Sequence, residues 1–233
     1  MKLNELNPEN HLKVLVYGDS GSGKTCFATG FPGPVWVADF DNKISSAGSF
    51  YKGTEQLDQI EYEAYCAGSD PAKRFNDKLE EFKNGKLPYK TIVLDSLTTF
   101  TDEAMKYLME MNKGIKRPVT KGAQVPVLQD WGIARLFFKQ IINEFLAMPC
   151  NVVVTAHIQT ERDELTGQIL RNPMMPGKLA QELPIYFAEV YRSYVKDGKY
   201  YAQTQSDKDF ICRTQLGLDS PVELKYNNLI GGN

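Results

Sequence analysis

With 233 residues and 42% hydrophobic content, the chain is long enough to bury one well-formed core. A formal net charge of -2 excludes attraction of nucleic acid by bulk charge, so any such binding has to come from a local basic patch. Four scattered cysteines, Cys26, Cys66, Cys150 and Cys212, make no C-x-x-C pair, which argues against a zinc knuckle or a disulfide scaffold.

Residues 1–11 are polar and carry a proline, so they read as a short N-terminal arm of a kind that docks on neighbours, with residues 12–233 as one domain. The start of the chain lacks the apolar middle of a signal peptide, and no run approaches the roughly 18 apolar residues of a membrane span. The expectation is a cytoplasmic protein with no membrane partner.

Residues 12–17 form an apolar run that delivers the stretch GDSGSGKT at 18–25, which fits the pattern G-x-x-x-x-G-K-[ST] at every fixed position. A phosphate cradle needs this order. A strand brings the chain in, glycines let backbone N–H groups wrap an anion, and a helix starts with its positive end at the phosphate. Gly18, Asp19, Ser20, Gly21, Ser22, Gly23, Lys24, Thr25 and Cys26 are therefore the expected nucleotide contacts. Lys24 would reach the β- and γ-phosphates as a point charge, and Thr25 would offer its hydroxyl to Mg²⁺.

A short helix through Cys26, Phe27 and Ala28 is stopped by Gly30 and Pro32, and residues 34–38 rise as a second strand ending in Asp39 and Asp41. Residues 60–66 make a third strand. The spacing of Phe75, Leu79 and Phe82 predicts a helix over 71–83, with Pro71 in its first turn. Residues 89–94 are β-rich and close on Asp95-Ser96, and a carboxylate at a strand tip downstream of a phosphate loop orients the water shell of Mg²⁺.

A helix over 98–111 places Phe100, Ala104, Leu108 and Met111 on its core face. The period then stops: residues 112–128 hold Lys113, Lys116, Arg117 and Lys121 without one acidic residue. A helix over 131–148 is expected to be N-capped by Asp130 and to bury Ile133, Phe137, Ile141, Phe145 and Met148. Residues 151–156, apolar on both faces, make a buried strand that ends on His157. Residues 158–178 show no period and read as a second long loop. Residues 188–195 alternate as a strand, and 200–204 with 209–214 read as a strand pair at the C-terminal edge.

Strands alternating with helices predict an α/β fold with a mostly parallel central sheet, helices on both faces and an antiparallel C-terminal edge. Ligands of such sheets sit at the carboxyl ends of the strands, where Asp41, Asp95, His157 and the phosphate loop all fall.

With these residues in place the chain resembles the RecA-like branch of the P-loop NTPases, and within it the compact phage-encoded ATPases associated with single-strand annealing and recombination. TIVLDS at 91–96 is similar to that branch's strand ending in Asp-Ser. VWVADFD at 35–41 resembles the strand that bears its catalytic carboxylate, with Asp41 in place of the usual Glu. VVVTAH at 152–157 resembles the strand ending in a polar sensor, with His157 in place of the usual Gln.

The resemblance implies ATP and Mg²⁺ as cofactors, Thr25 and Asp95 on the metal, Asp41 polarising the attacking water and His157 sensing the γ-phosphate, so that Lys24, Asp41, Asp95 and His157 form the catalytic set. It implies two DNA loops, the first carrying Lys113, Lys116, Arg117 and Lys121, the second Arg171 and Lys178. The implied partners are single-stranded DNA, other copies of the chain in a ring or filament, and a single-strand DNA-binding protein, in a bacterial or phage-infected cytoplasm. Arg213 is a candidate finger onto a neighbour's nucleotide. Two alternatives stand beside this reading: a nucleotide-gated interaction protein with little hydrolysis, and a small-molecule kinase. A GTPase is disfavoured, since no Asn-Lys-x-Asp motif occurs.

Overall fold

The computed structural model describes residues 11–230 apart from 67, 86, 163–166 and 168. The expected arm, residues 1–10 of it, lies outside the described residues, as does most of the tip of the second loop.

The N-terminal half runs through β1 (Lys13–Gly18), α1 (Lys24–Thr29), β2 (Val35–Asp39), α2 (Ser45–Phe50), β3 (Ile60–Ala64), α3 (Pro71–Asn84), β4 (Thr91–Asp95) and α4 (Leu97–Met111). A small hairpin, β5 (Val119–Thr120) and β6 (Ala123–Gln124), then leads to α5 (Leu128–Leu146) and β7 (Asn151–Ala156). After β8 (Ile158–Arg162), β9 (Ile169–Pro173) and α6 (Leu179–Glu182), the chain ends its described part with β10 (Glu189–Lys196), β11 (Lys199–Gln203), β12 (Val222–Glu223) and α7 (Tyr226–Ile230).

Eight of the strands form one sheet in the order β12-β11-β10-β1-β7-β4-β2-β3. The pairs from β10 to β3 are parallel, and β10–β11 and β11–β12 are antiparallel. This is the expected α/β class, with a parallel centre, helices on its faces and an antiparallel edge.

Each central strand alternates between two cores. Leu15, Tyr17, Val152 and Val154 point to one face, where Trp36, Phe40, Phe75, Phe100, Phe138 and Phe145 pack under α3, α4 and α5. Val14, Val16 and Val153 point to the other, against Phe27, Phe31 and Tyr191. Burial on both faces is why these strands read as unbroken apolar runs.

Register brings the strand ends level. Tyr17 of β1 pairs with Ala156 of β7, so Gly18 and His157 stand level at the strand ends, and Asp39 of β2 pairs with Asp95 of β4.

Four local expectations are corrected. Helix α5 starts at Leu128 with Val127 as its N-cap, and Asp130 sits two residues inside, accepting the Val127 N–H at 2.9 Å. Its buried face is Ala134, Phe138, Ile141, Ile142 and Phe145, one residue round from Ile133 and Phe137, which are only partly covered. Met111 is 67% exposed, because α4 has by then run past the core. The segment 158–178 is not structureless: β8 and β9 pair antiparallel from Ile158↔Pro173 to Arg162↔Ile169, a half-exposed hairpin without the burial that would print a period.

Residues 209–214 do not pair with β11, whose outer neighbour is β12. They are drawn inward instead, bridging Arg171 to Phe210 and Val190 to Arg213. Asp207 Oδ1 accepts the N–H groups of Asp209 and Phe210, each at 2.8 Å, which breaks a strand there.

Candidate nucleotide site at the strand ends

The loop between β1 and α1 has the backbone that a phosphate cradle requires. Gly21 and Gly23 hold φ of +77° and +86°, in the region that favours glycine. Gly18 is needed for a different reason: a Cβ there would come within 2.3 Å of the Ser193 carbonyl oxygen on β10. Ser22 braces the loop, its hydroxyl donating to the Asp19 carbonyl at 2.7 Å and lying 2.6 Å from the Ser193 Oγ.

Lys24 folds back over the loop, its Nζ donating to the carbonyls of Gly18 at 2.9 Å and Asp19 at 2.7 Å. Burial pushes its pKa down, against the raising effect of Asp95. Gly18 and Asp19 therefore anchor the lysine from behind, while Ser20, Gly21, Ser22, Gly23, Lys24, Thr25 and Cys26 line a cleft of about 840 Å³.

Asp95 closes β4 beneath this loop. Thr25 Oγ1 donates to its Oδ2 at 2.6 Å, and the Thr155 hydroxyl on β7 donates to Oδ1. Burial raises the Asp95 pKa, and the nearby charges of Asp41 and Asp39 add to that, against the two hydroxyl bonds. A buried carboxylate beside a threonine hydroxyl is a pair of hard oxygen donors of the kind that suits Mg²⁺. Both groups line the cleft.

Asp41 follows β2 and faces the same cleft. Its carboxylate accepts from Ser96 Oγ at 2.8 Å, from the Thr99 hydroxyl and from His157 Nε2 at 2.9 Å, with Lys43 Nζ at 3.4 Å. Burial alone would raise its pKa. The bonds from His157, Thr99 and Ser96 outweigh burial and hold the carboxyl far below the ordinary range. Asp39, by contrast, turns its oxygens to the N–H groups of Lys43 and Ile44 and shapes the turn after β2.

His157 is also tied through its backbone. Its N–H donates to Thr98 Oγ1 at 3.0 Å, that hydroxyl donates to the Met174 carbonyl at 3.1 Å, and the Met174 N–H returns to the His157 carbonyl at 2.7 Å. The first turn of α4 thus touches Asp41 on one side and the foot of the β8–β9 hairpin on the other.

None of the six expected DNA contacts lines the cleft. Lys113, Lys116, Lys121 and Lys178 are exposed. Arg117 is not: its side chain is 1% exposed, and its guanidinium grips Asp130 with two bonds, at 2.9 and 2.6 Å, and the Asn112 carbonyl at 3.1 Å. The Arg117 bond in turn holds the Asp130 carboxyl below its usual range. Arg171 pairs with Asp209 at 2.9 Å and lies over the Phe210 ring. The Arg213 guanidinium is spent on carbonyls of its own chain, those of Pro184, Ile185 and Phe187.

Sequence reasoning missed Thr155, Thr98, Thr99 and Ser193. Thr155 had a legible signal, a hydroxyl inside an otherwise apolar buried strand. The others sit on elements whose neighbours only the fold supplies.

No curated protein matches the chain. A family model described as an AAA domain matches residues 10–215. That span takes in the whole glycine loop, Asp41, Asp95 and His157, and the chain belongs to the AAA domain family, a phosphate-loop ATPase-type domain.

Proposed function

We propose that the chain is a Mg²⁺-dependent ATPase that acts on single-stranded DNA in recombination, annealing or repair, working as an assembly of copies of itself. The observation that carries the ATPase part is the convergence of Lys24, the Thr25–Asp95 pair and Asp41 on one cleft. The loop N–H groups and Lys24 would hold the phosphates, Lys24 leaving the Gly18 and Asp19 carbonyls for them. Thr25 and Asp95 would hold Mg²⁺, which when bound neutralises charge on the phosphate oxygens. Asp41, fixed by three donors, would orient the attacking water.

The DNA part is supported by the exposed Lys113, Lys116, Lys121 and Lys178 on the two segments that follow α4 and β7, and by the bonds linking Asp41 through His157 and Thr98 to Met174. A row of lysines gives salt-dependent, sequence-tolerant binding to single strands.

A second reading, a nucleotide-gated interaction protein that hydrolyses slowly, is favoured by one observation. A carboxylate held this far into its ionised form is a weak base.

Steady-state ATP hydrolysis with and without single-stranded DNA, over a salt series and with Asp41→Ala as control, separates the two. Stimulation that fades with salt and vanishes in the variant supports the DNA-dependent ATPase. Tight ATP binding with no DNA-stimulated turnover supports the gated switch.

A further inference from the structure

The family match ends at residue 215, yet the chain beyond it returns to the site. Strand β12 adds to the sheet edge with Glu223 opposite Tyr201, and the Leu224 N–H donates to the Tyr200 carbonyl at 3.0 Å. Leu224 and Leu229 are buried in the same core as Phe27 and Phe31, and the Tyr226 ring packs on Phe31 at 4.8 Å between centroids. This anchoring sets Glu223, Tyr226 and Asn227 along the cleft that starts at the phosphate loop.

The cleft continues from that loop along α1, past Cys26, Phe27 and Gly30. Tyr51 borders it there, its hydroxyl donating to the Cys26 carbonyl at 2.8 Å. Tyr200 borders the loop itself: a Cβ on Gly23 would lie 2.8 Å from the Tyr200 ring. The cleft also runs past Asn42, Lys43, Ser45, Ser46 and Phe50 on the α2 side, but its tyrosine rings lie along α1 and the C-terminal segment. There Tyr51, Tyr200 and Tyr226 offer a flat heterocycle stacking faces, with the Glu223 carboxylate, ion-paired to Lys225 at 2.6 Å, as acceptor and the Asn227 amide as donor for its edge.

We infer that residues 222–227, outside the matched domain, form with Tyr200 and Tyr51 the pocket that receives the base of a nucleoside triphosphate. The inference rests on the nucleotide-binding reading above. It assigns the C-terminal segment a ligand-recognition role in addition to closing the sheet edge.

Calorimetric binding of ATP and of inorganic tripolyphosphate to the full chain tests it. ATP is expected to bind more tightly than tripolyphosphate. Tyr226→Ala should weaken ATP roughly ten- to a hundredfold, the range for losing one base stack, and leave tripolyphosphate unchanged. Tyr226→Phe should keep the native ATP affinity. Because Tyr226 also packs on Phe31, the exposed pair Glu223→Ala with Asn227→Ala repeats the test without touching the core, and roughly a fivefold loss for ATP alone is expected. Equal binding of ATP and tripolyphosphate by the native chain, or normal ATP binding by these variants, overturns the inference and leaves the phosphate loop standing. If the native chain binds neither ligand, the nucleotide reading itself fails and the inference falls with it.

Discussion

His157 Nε2 and Asp41 Oδ2 lie 2.9 Å apart although they follow strands β7 and β2, which β4 separates. The level register of the three strands makes this possible, and Ser96 and Thr99 on the intervening β4–α4 turn complete the cage around the carboxylate. Removing the carboxylate should therefore separate binding from turnover. Asp41→Ala is expected to bind ATP within about threefold of the native affinity and to lose roughly 10²- to 10⁴-fold in kcat, the span of a positioned acid–base group. Fluorescence titration beside steady-state kinetics checks it, and native turnover in the variant would remove Asp41 from the mechanism.

Thr99 reaches the site by donating to Asp41, so its loss should be smaller and of a particular kind. Thr99→Val takes away one donor that holds the carboxyl low, and the Asp41 pKa moves up. A depressed carboxylate pKa means the charged form persists as pH falls. In the native chain Asp41 stays charged well below neutrality, and in Thr99→Val the acid limb of the kcat profile should shift to higher pH. A kcat loss of about tenfold with KM unchanged accompanies that shift. A merely structural role for Thr99 would lower stability and leave the pH profile in place.

The phosphate loop offers the sharpest loss. Lys24 is buried with its ammonium on two loop carbonyls, poised to exchange them for phosphate oxygens. Lys24→Ala should lower ATP affinity by at least about a hundredfold, as expected when a charge-assisted contact to phosphate is removed. ATP binding at native strength would sink the phosphate-loop assignment.

Arg117 and its lysine neighbours should behave as different kinds of residue. Changing Lys113, Lys116 and Lys121 together to Ala is expected to weaken single-stranded DNA binding and to flatten the log–log salt slope by about two, since each phosphate contact on a single strand contributes about 0.7. An unchanged slope moves the DNA site elsewhere. Arg117→Ala, which strands Asp130 at the start of α5, should instead lower Tm.

The same ion pair sets a pH signature. The Asp130 pKa is lower in the folded chain than in the unfolded one, so the stability it adds is present above the unfolded value. That stability is lost as pH falls through the folded value. Asp130→Asn should be less stable than the native chain near neutrality, and the gap in Tm should close on acidification. A gap that stays constant with pH would show that the charge on Asp130 is not what stabilises this corner.

The features legible in the sequence alone are contiguous ones. The glycine loop lies within eight residues, its strand just before it, and Asp41, Asp95 and His157 each close an apolar run that only a buried strand explains. Periodicity then sufficed for α3 and the class of the fold, because burial on a helix or sheet face repeats at a fixed spacing. The tertiary structure decided what depends on distant partners. Arg117 looks like a surface cation until Asp130, thirteen residues on, takes its guanidinium out of solvent. Arg213 reads as a free finger until three carbonyls near residue 185 bind it, and residues 209–214 read as an edge strand until Asp207 and those carbonyls draw them inward. On α5, Ile141 and Phe145 are buried as expected, with Met148 just beyond the helix, but Ala134 and Phe138 replace Ile133 and Phe137 on the core face: all four are apolar, and only packing against α4 and the sheet chooses among them. A side chain's charge and size are local properties, but whether it meets solvent, a carboxylate or a carbonyl is settled by elements far away in the chain, which only the fold brings together.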